Sequence, residues 1–152
     1  MTECIFCKIV EGSAPCHRIW EDDEHLAFLS IHPNTPGFSV VIPKHHYPSY
    51  AFALPDDVLH ALIAASKKVA LRIDAAFEDV GRTGLILEGF GVDHVHAKLV
   101  PMHGTAIEEW KRFASNIDTY FERYEGYLSS HDSRRADDAE LERIARLIRS
   151  KA

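Results

Sequence analysis

The run His94, Val95, His96, Ala97, Lys98, Leu99, Val100 alternates titratable and apolar side chains at every step. A strand repeats every two residues, so His94, His96 and Lys98 fall on one face while Val95, Ala97 and Leu99 face the core. Successive members of the polar set stand about 6.6 Å apart, twice a strand rise; they line a shallow trough and cannot all touch one atom. The plain alternative is a half-exposed strand whose outer face happens to be basic. A second constellation, Cys4 and Cys7 spaced C-x-x-C, is half of a tetrahedral nitrogen and sulfur site for zinc and needs two more ligands. Of the ten histidines, His46 at the end of one strand and His94 at the start of another are candidates. The alternative is a pair of small buried thiols. Thioredoxin-type redox chemistry does not fit, because no βαβ unit follows.

The elements that must hold these residues can be read from pattern. Arg18 to Trp20 and His25 to Ile31 are short apolar-rich runs on either side of Glu21, Asp22, Asp23 and Glu24, which predicts a hairpin. Pro33 to Gly37 is turn chemistry, followed by a strand from Phe38 to Ile42 stopped by Pro43. Pro55, Asp56 and Asp57 open a helix expected to reach Phe77, with Leu59, Leu62, Ile63, Val69, Ile73 and Phe77 on its apolar stripe. Strands are expected at Gly84 to Leu87 and His94 to Val100, with Gly89 and Gly91 in the connection. Thr105 with Glu108, and Asp137 with Glu140, match the helix capping box, the latter ahead of a docked C-terminal helix. This order reads as α+β: an antiparallel sheet packed with one long helix, plus a C-terminal helical segment.

The chain of 152 residues is 46% hydrophobic and 26% charged, which suits one globular domain, with 1–103 as its core and 104–152 as an aromatic-rich extension. Between Thr105 and Leu128, Trp110, Phe113, Tyr120, Phe121, Tyr124 and Tyr127 are expected to pack on something. Seventeen basic against 23 acidic residues give a net charge of −6, which argues against binding to nucleic acid or an anionic membrane. An anionic substrate would need a local basic pocket. No stretch is apolar enough to span a bilayer, and the start lacks the features of a signal peptide, so a cytoplasmic location is expected.

Four segments taken in order, Cys4 to Ile9, Phe28 to Gly37, Val41 to His46 and His94 to Lys98, resemble the histidine triad (HIT) superfamily, in a bacterial subgroup with lysine at the third triad position. The likeness spans roughly residues 4–103. It implies an HIT-like fold, a homodimer built across the long helix, and structural zinc on Cys4, Cys7, His46 and His94. It also implies a nucleotide hydrolase or transferase in which His96 attacks the α-phosphorus of a nucleoside phosphate anhydride or phosphoramidate, forming a covalent nucleotidyl-histidine. The substrate is expected to be a purine nucleoside phosphate.

On this resemblance Lys98 steadies the phosphate, and Ile5, Phe6, Ile9, Phe28 and Ile31 line the nucleoside pocket, with Asn34 and His32 within reach of a ribose. The five apolar residues, read as strand residues, could equally be simple core. The chain departs from the family pattern at Ser30, where the family has a ribose-binding aspartate, and at Phe90 and Gly91, in place of phosphate-binding side chains. The backbone of Gly89, Phe90 and Gly91 could still cradle a phosphate. Lys98 is a poor proton donor near neutrality, and His103 could supply the proton instead. These departures leave a second reading, a zinc-stabilised nucleotide-binding module with little or no turnover.

Overall fold

The structure, a computed structural model, describes residues 3–151. It divides into two compact units, Met1–Glu109 and Trp110–Ala152.

In the first unit a five-stranded antiparallel sheet has the order β1-β2-β3-β5-β4. Its strands are β1 (Arg18–Glu21), β2 (His25–Leu29), β3 (Ser39–Pro43), β4 (Val80–Ile86) and β5 (Ala97–His103). The hairpin expected around the acidic run is β1 and β2. Two α-helices, α1 (Ile5–Glu11) and α2 (Asp56–Ala76), and a 3-10 turn at Ala51–Ala53 complete this unit among the described residues. Pro55 is the N-cap residue of α2, and Asp56 and Asp57 occupy its positive end, as their types predict.

Strand alternation gives the sheet two apolar faces. Ala27, Val41, Val95, Ala97 and Leu99 pack against Leu62, Ala65, Val69 and Ile73 of α2. Ile63, expected on that stripe, is instead exposed. Leu26, Phe28, Val40 and Ile42 form the other face, covered by Phe6 and Ile9 of α1. Ile5, Phe6 and Ile9 are therefore helical and not strand residues. Phe6 and Ile9, three apart, share a helix face, and the helix ends at Gly12, whose φ of 79° lets its N–H turn back to the Ile9 carbonyl.

The last two strands are displaced from expectation. β4 starts at Val80, held by pairing with β5 and not by any apolar pattern of its own. β5 begins at Ala97 and runs through Pro101 to His103, so His94 and His96 precede its ladder. No helix starts at Thr105. Its hydroxyl accepts from the Gly81 N–H and donates to the Met102 carbonyl, so it is not left to cap a helix.

In the second unit the only helix among the described residues is α3 (Asp138–Arg149). Asp137 caps it as predicted, its carboxylate accepting from the N–H groups of Ala139 and Glu140. Arg143 pairs with Glu140, and Arg146 and Arg149 with Glu142, so α3 is supported along its own surface. It contains no buried residue. The aromatic segment before it is irregular. Phe121 contacts the rings of Tyr127 and His131, but Trp110, Phe113, Tyr120, Tyr124 and Tyr127 remain exposed.

Candidate metal and histidine site

Four residues converge where α1 begins beneath the sheet. Cys4 and Cys7 come from the start of α1, His46 from the segment after β3, and His94 from the segment before β5. Their sulfur and ring nitrogen atoms all lie within 4.8 Å of one another. The Sγ atom of Cys4 is 3.5 Å from His94 Nδ1, while Cys7 Sγ is 3.6 Å from the same atom and 3.3 Å from His46 Nδ1. With ordinary zinc–sulfur and zinc–nitrogen bonds, sulfur and nitrogen ligands of a tetrahedron stand about 3.5 Å apart. Donor types and spacing therefore fit a four-coordinate zinc ion. The Nε2–H of His94 donates to the Pro43 carbonyl at 2.8 Å, which leaves Nδ1 as the unprotonated nitrogen toward the thiols. His45, the neighbour of His46, stacks against Tyr47 instead.

His96 sits two residues on, with its Nδ1–H donated to the His94 carbonyl at 2.7 Å. That bond assigns the lone pair to Nε2. Phe6 meets both rings edge-on, with centroids 5.8 Å from His94 and 5.3 Å from His96. His94 is fully buried and His96 is 5% exposed, so the polar face of the run is covered rather than half-exposed. Burial holds the His96 ring below the usual imidazole range, against the opposing pull of its hydrogen bond, and keeps it neutral at pH 7.

Lys98 continues the same face, paired across the sheet with Val40 and Ile86. Its ammonium forms an ion pair with Glu88, two residues beyond the end of β4. The Glu88 side chain is the more enclosed of the two, 8% exposed against 28% for Lys98. Burial also lowers the Lys98 pKa from the ordinary lysine range.

The chain has relatives among known proteins and solved structures. The HIT domain model matches residues 11–105. The chain belongs to the HIT family. Over 99 residues it is 38% identical to the adenosine 5'-monophosphoramidase hnt1 of Schizosaccharomyces pombe, covering 64% of this chain and 73% of that protein. A HIT family protein from Bacillus subtilis superposes with a TM-score of 0.68 at 28% identity, covering 99% of this chain and 98% of the other. A zinc-bound histidine triad protein from Mycobacterium smegmatis superposes with a TM-score of 0.63 at 27% identity, covering 74% and 84%. Nucleotide hydrolysis is thus an activity found within the HIT family.

The remaining residues predicted for this HIT protein's site are not all brought together. Phe6, Ile9 and Phe28 form one buried cluster, whereas Ile5 and Ile31 are exposed outside it. Ser30 accepts from the His32 N–H through its hydroxyl, and Asn34 is exposed in the following turn. Gly89 and Gly91 both have positive φ, and the Gly89 carbonyl accepts from the Ser49 hydroxyl. A Cβ at Gly89 would stand 3.3 Å from the Ser49 carbonyl oxygen, so this loop lies close to the segment after β3.

His103 does not belong to the site. It closes β5, about 23 Å along the chain from His96 at a strand's rise. One ring nitrogen faces Asp79 at 3.0 Å and the other donates to the Pro36 carbonyl at 2.8 Å. Both nitrogens thus carry hydrogen-bonding tasks, which removes His103 as a proton donor to His96. Sequence reading missed two residues: Glu88, and Phe6 as the cover of both histidine rings. Nothing in the sequence signalled Glu88: the Ile86↔Lys98 register continued two steps would set it opposite His96, so its ion pair with Lys98 runs diagonally between the two segments.

Proposed function

We propose that this HIT protein is a nucleotide hydrolase or nucleotidyl transferase with a covalent nucleotidyl-histidine intermediate on His96. The observation that carries the reading is the fixed tautomer of His96. Its Nδ1 proton is committed to the His94 carbonyl, so a buried, neutral ring presents the Nε2 lone pair two residues from Lys98 in the alternating run. In a phosphoramidate substrate, Nε2 forms a bond to the α-phosphorus as the bond to the leaving amine breaks, and the amine leaves with a proton gained from solvent or a nearby group. Water, or another acceptor with a hydroxyl, then attacks the same phosphorus and gives up a proton to solvent, and His96 departs with its lone pair restored. Lys98 stabilises charge on the non-bridging oxygens.

Zinc on Cys4, Cys7, His46 and His94 would be structural, since four protein ligands leave no open position, and would tie α1 to the sheet. The reading extends to a purine nucleoside phosphate as substrate and to a homodimer. A competing reading, a nucleotide-binding module without turnover, draws support from the engagement of Lys98 by Glu88. The experiment is His96→Asn, assayed with adenosine 5'-phosphoramidate alongside acid-labile trapping of labelled nucleotide on the protein. The enzyme reading expects binding to persist in the variant while turnover falls by about three orders of magnitude or more and trapping disappears. A parent that binds the nucleotide but neither turns over nor traps label would establish the binding module.

A further inference from the structure

On the reading just given, Lys98 is the cation that meets the substrate phosphate, yet it is already neutralised by a carboxylate on the neighbouring chain segment. Glu88 is 8% exposed at its side chain, and its pairing with Lys98 links the loop after β4 to β5. His96 is the next group along the trough. His94, beyond it, directs one nitrogen at the thiols and the other at the Pro43 carbonyl. The ammonium of Lys98 and the carboxylate of Glu88 therefore offset one another at rest.

We propose that Glu88 is a specificity-determining residue that sets this trough to accept a singly charged phosphoryl centre and to reject a dianionic one. This deepens the nucleotide reading and rests on it. A nucleoside phosphoramidate or a phosphodiester carries one negative charge at the reacting phosphorus. A nucleoside monophosphate, the hydrolysis product, carries between one and a half and two at neutral pH, to judge from the second ionisation of about 6 for a phosphate monoester. In a site of low dielectric the second charge faces the Glu88 carboxylate, which already engages the ammonium of Lys98. The substrate is held by sharing Lys98 with Glu88. The product, once formed, is expelled by the same carboxylate.

The test compares two probes that differ by one methyl group and in charge, AMP and its methyl ester adenosine 5'-methylphosphate, by calorimetry at pH 7.5 on the full chain. The parent should bind AMP no more tightly than the monoanionic ester. Glu88→Gln, which keeps a hydrogen-bonding partner for Lys98 but removes the negative charge, should bind AMP about tenfold more tightly, with the ester changed less than threefold. Glu88→Gln combined with Lys98→Gln should lose that gain. A parent that prefers AMP over the ester by tenfold or more would overturn the proposal without needing any variant. So would a Glu88→Gln protein whose affinities for the two probes shift equally, which would mark Glu88 as a purely structural residue. If the parent binds neither probe, the nucleotide reading fails first and this inference falls with it.

Discussion

His94 donates its Nε2 proton to the carbonyl of Pro43, 2.8 Å away, and so turns an unprotonated Nδ1 toward Cys4 and Cys7. The carbonyl at the end of β3 thereby settles the ring orientation on which the whole cysteine and histidine cluster depends. Second-layer hydrogen bonds of this kind fix the tautomer of a ligating histidine before any ion arrives.

If the cluster holds zinc as proposed, protein purified without chelator contains about one zinc per chain. Cys7→Ala should lower the metal content well below that and reduce the thermal midpoint, because the variant keeps only three ligands. Elemental analysis and thermal unfolding on the same sample check both effects. Full zinc occupancy in Cys7→Ala would remove Cys7 from the ligand set.

Phe6 seals both histidine rings and the cluster around Phe28, so Phe6→Ala opens a cavity on the α1 face. The expected loss of stability is about 3 kcal/mol, at the lower end for phenylalanine in a core because α1 is short and can shift. Denaturant unfolding measures it. A loss below about 1 kcal/mol would mean α1 contributes little to covering that face.

The sequence pattern puts Lys98 on a face separate from the core, which suggests that it serves rate and not folding. The ion pair changes that expectation. Lys98→Ala should destabilise the protein by about 2 kcal/mol, because it removes the ammonium from the enclosed carboxylate of Glu88. Glu88→Gln should cost less, and Lys98→Ala with Glu88→Gln should recover part of the loss. Equal stability of Lys98→Ala and the parent by denaturant titration would show that the pair is loose in solution.

At the far end of β5, His103 has its pKa raised, first by its hydrogen bond to the Pro36 carbonyl and then by Asp79, while the Asp79 pKa is lowered, chiefly by its hydrogen bond with His103. The folded state holds the His103 proton more tightly than the unfolded state, so this stabilisation is complete below the ordinary histidine pKa of about 6.5. It disappears as pH rises through the elevated folded value. Thermal midpoints of the parent and His103→Gln should therefore differ most at pH 6 and converge as pH rises above neutrality. A difference that is constant from pH 6 to 9 would show that packing on Phe77, and not the proton, is what His103 contributes.

Local chemistry determined much of this protein from sequence alone. Pro55 with two aspartates starts α2, Asp137 caps α3, and the alternation around His96 sorts Val95, Ala97 and Leu99 to the α2 face. Each depends on residues within a few positions of one another, and backbone geometry follows from such neighbours. The cysteine and histidine types that converge on one point were also visible, although their distances were not.

Tertiary structure decided what the polar faces meet. Nothing near His96 in sequence says that Phe6, 90 positions earlier, lies over its ring, because the α1 helix is too short for its apolar period to be distinguished from a strand. Glu88 reaches Lys98 only because β4 and β5 are paired in a particular register, and Thr105 loses its capping role only because Gly81 leaves room for it on the adjacent strand. A single titratable or hydroxyl group can satisfy several partners in principle. Which one it takes is fixed by the packing of segments far apart in the chain, and that packing sets both the charge and the accessibility of the site.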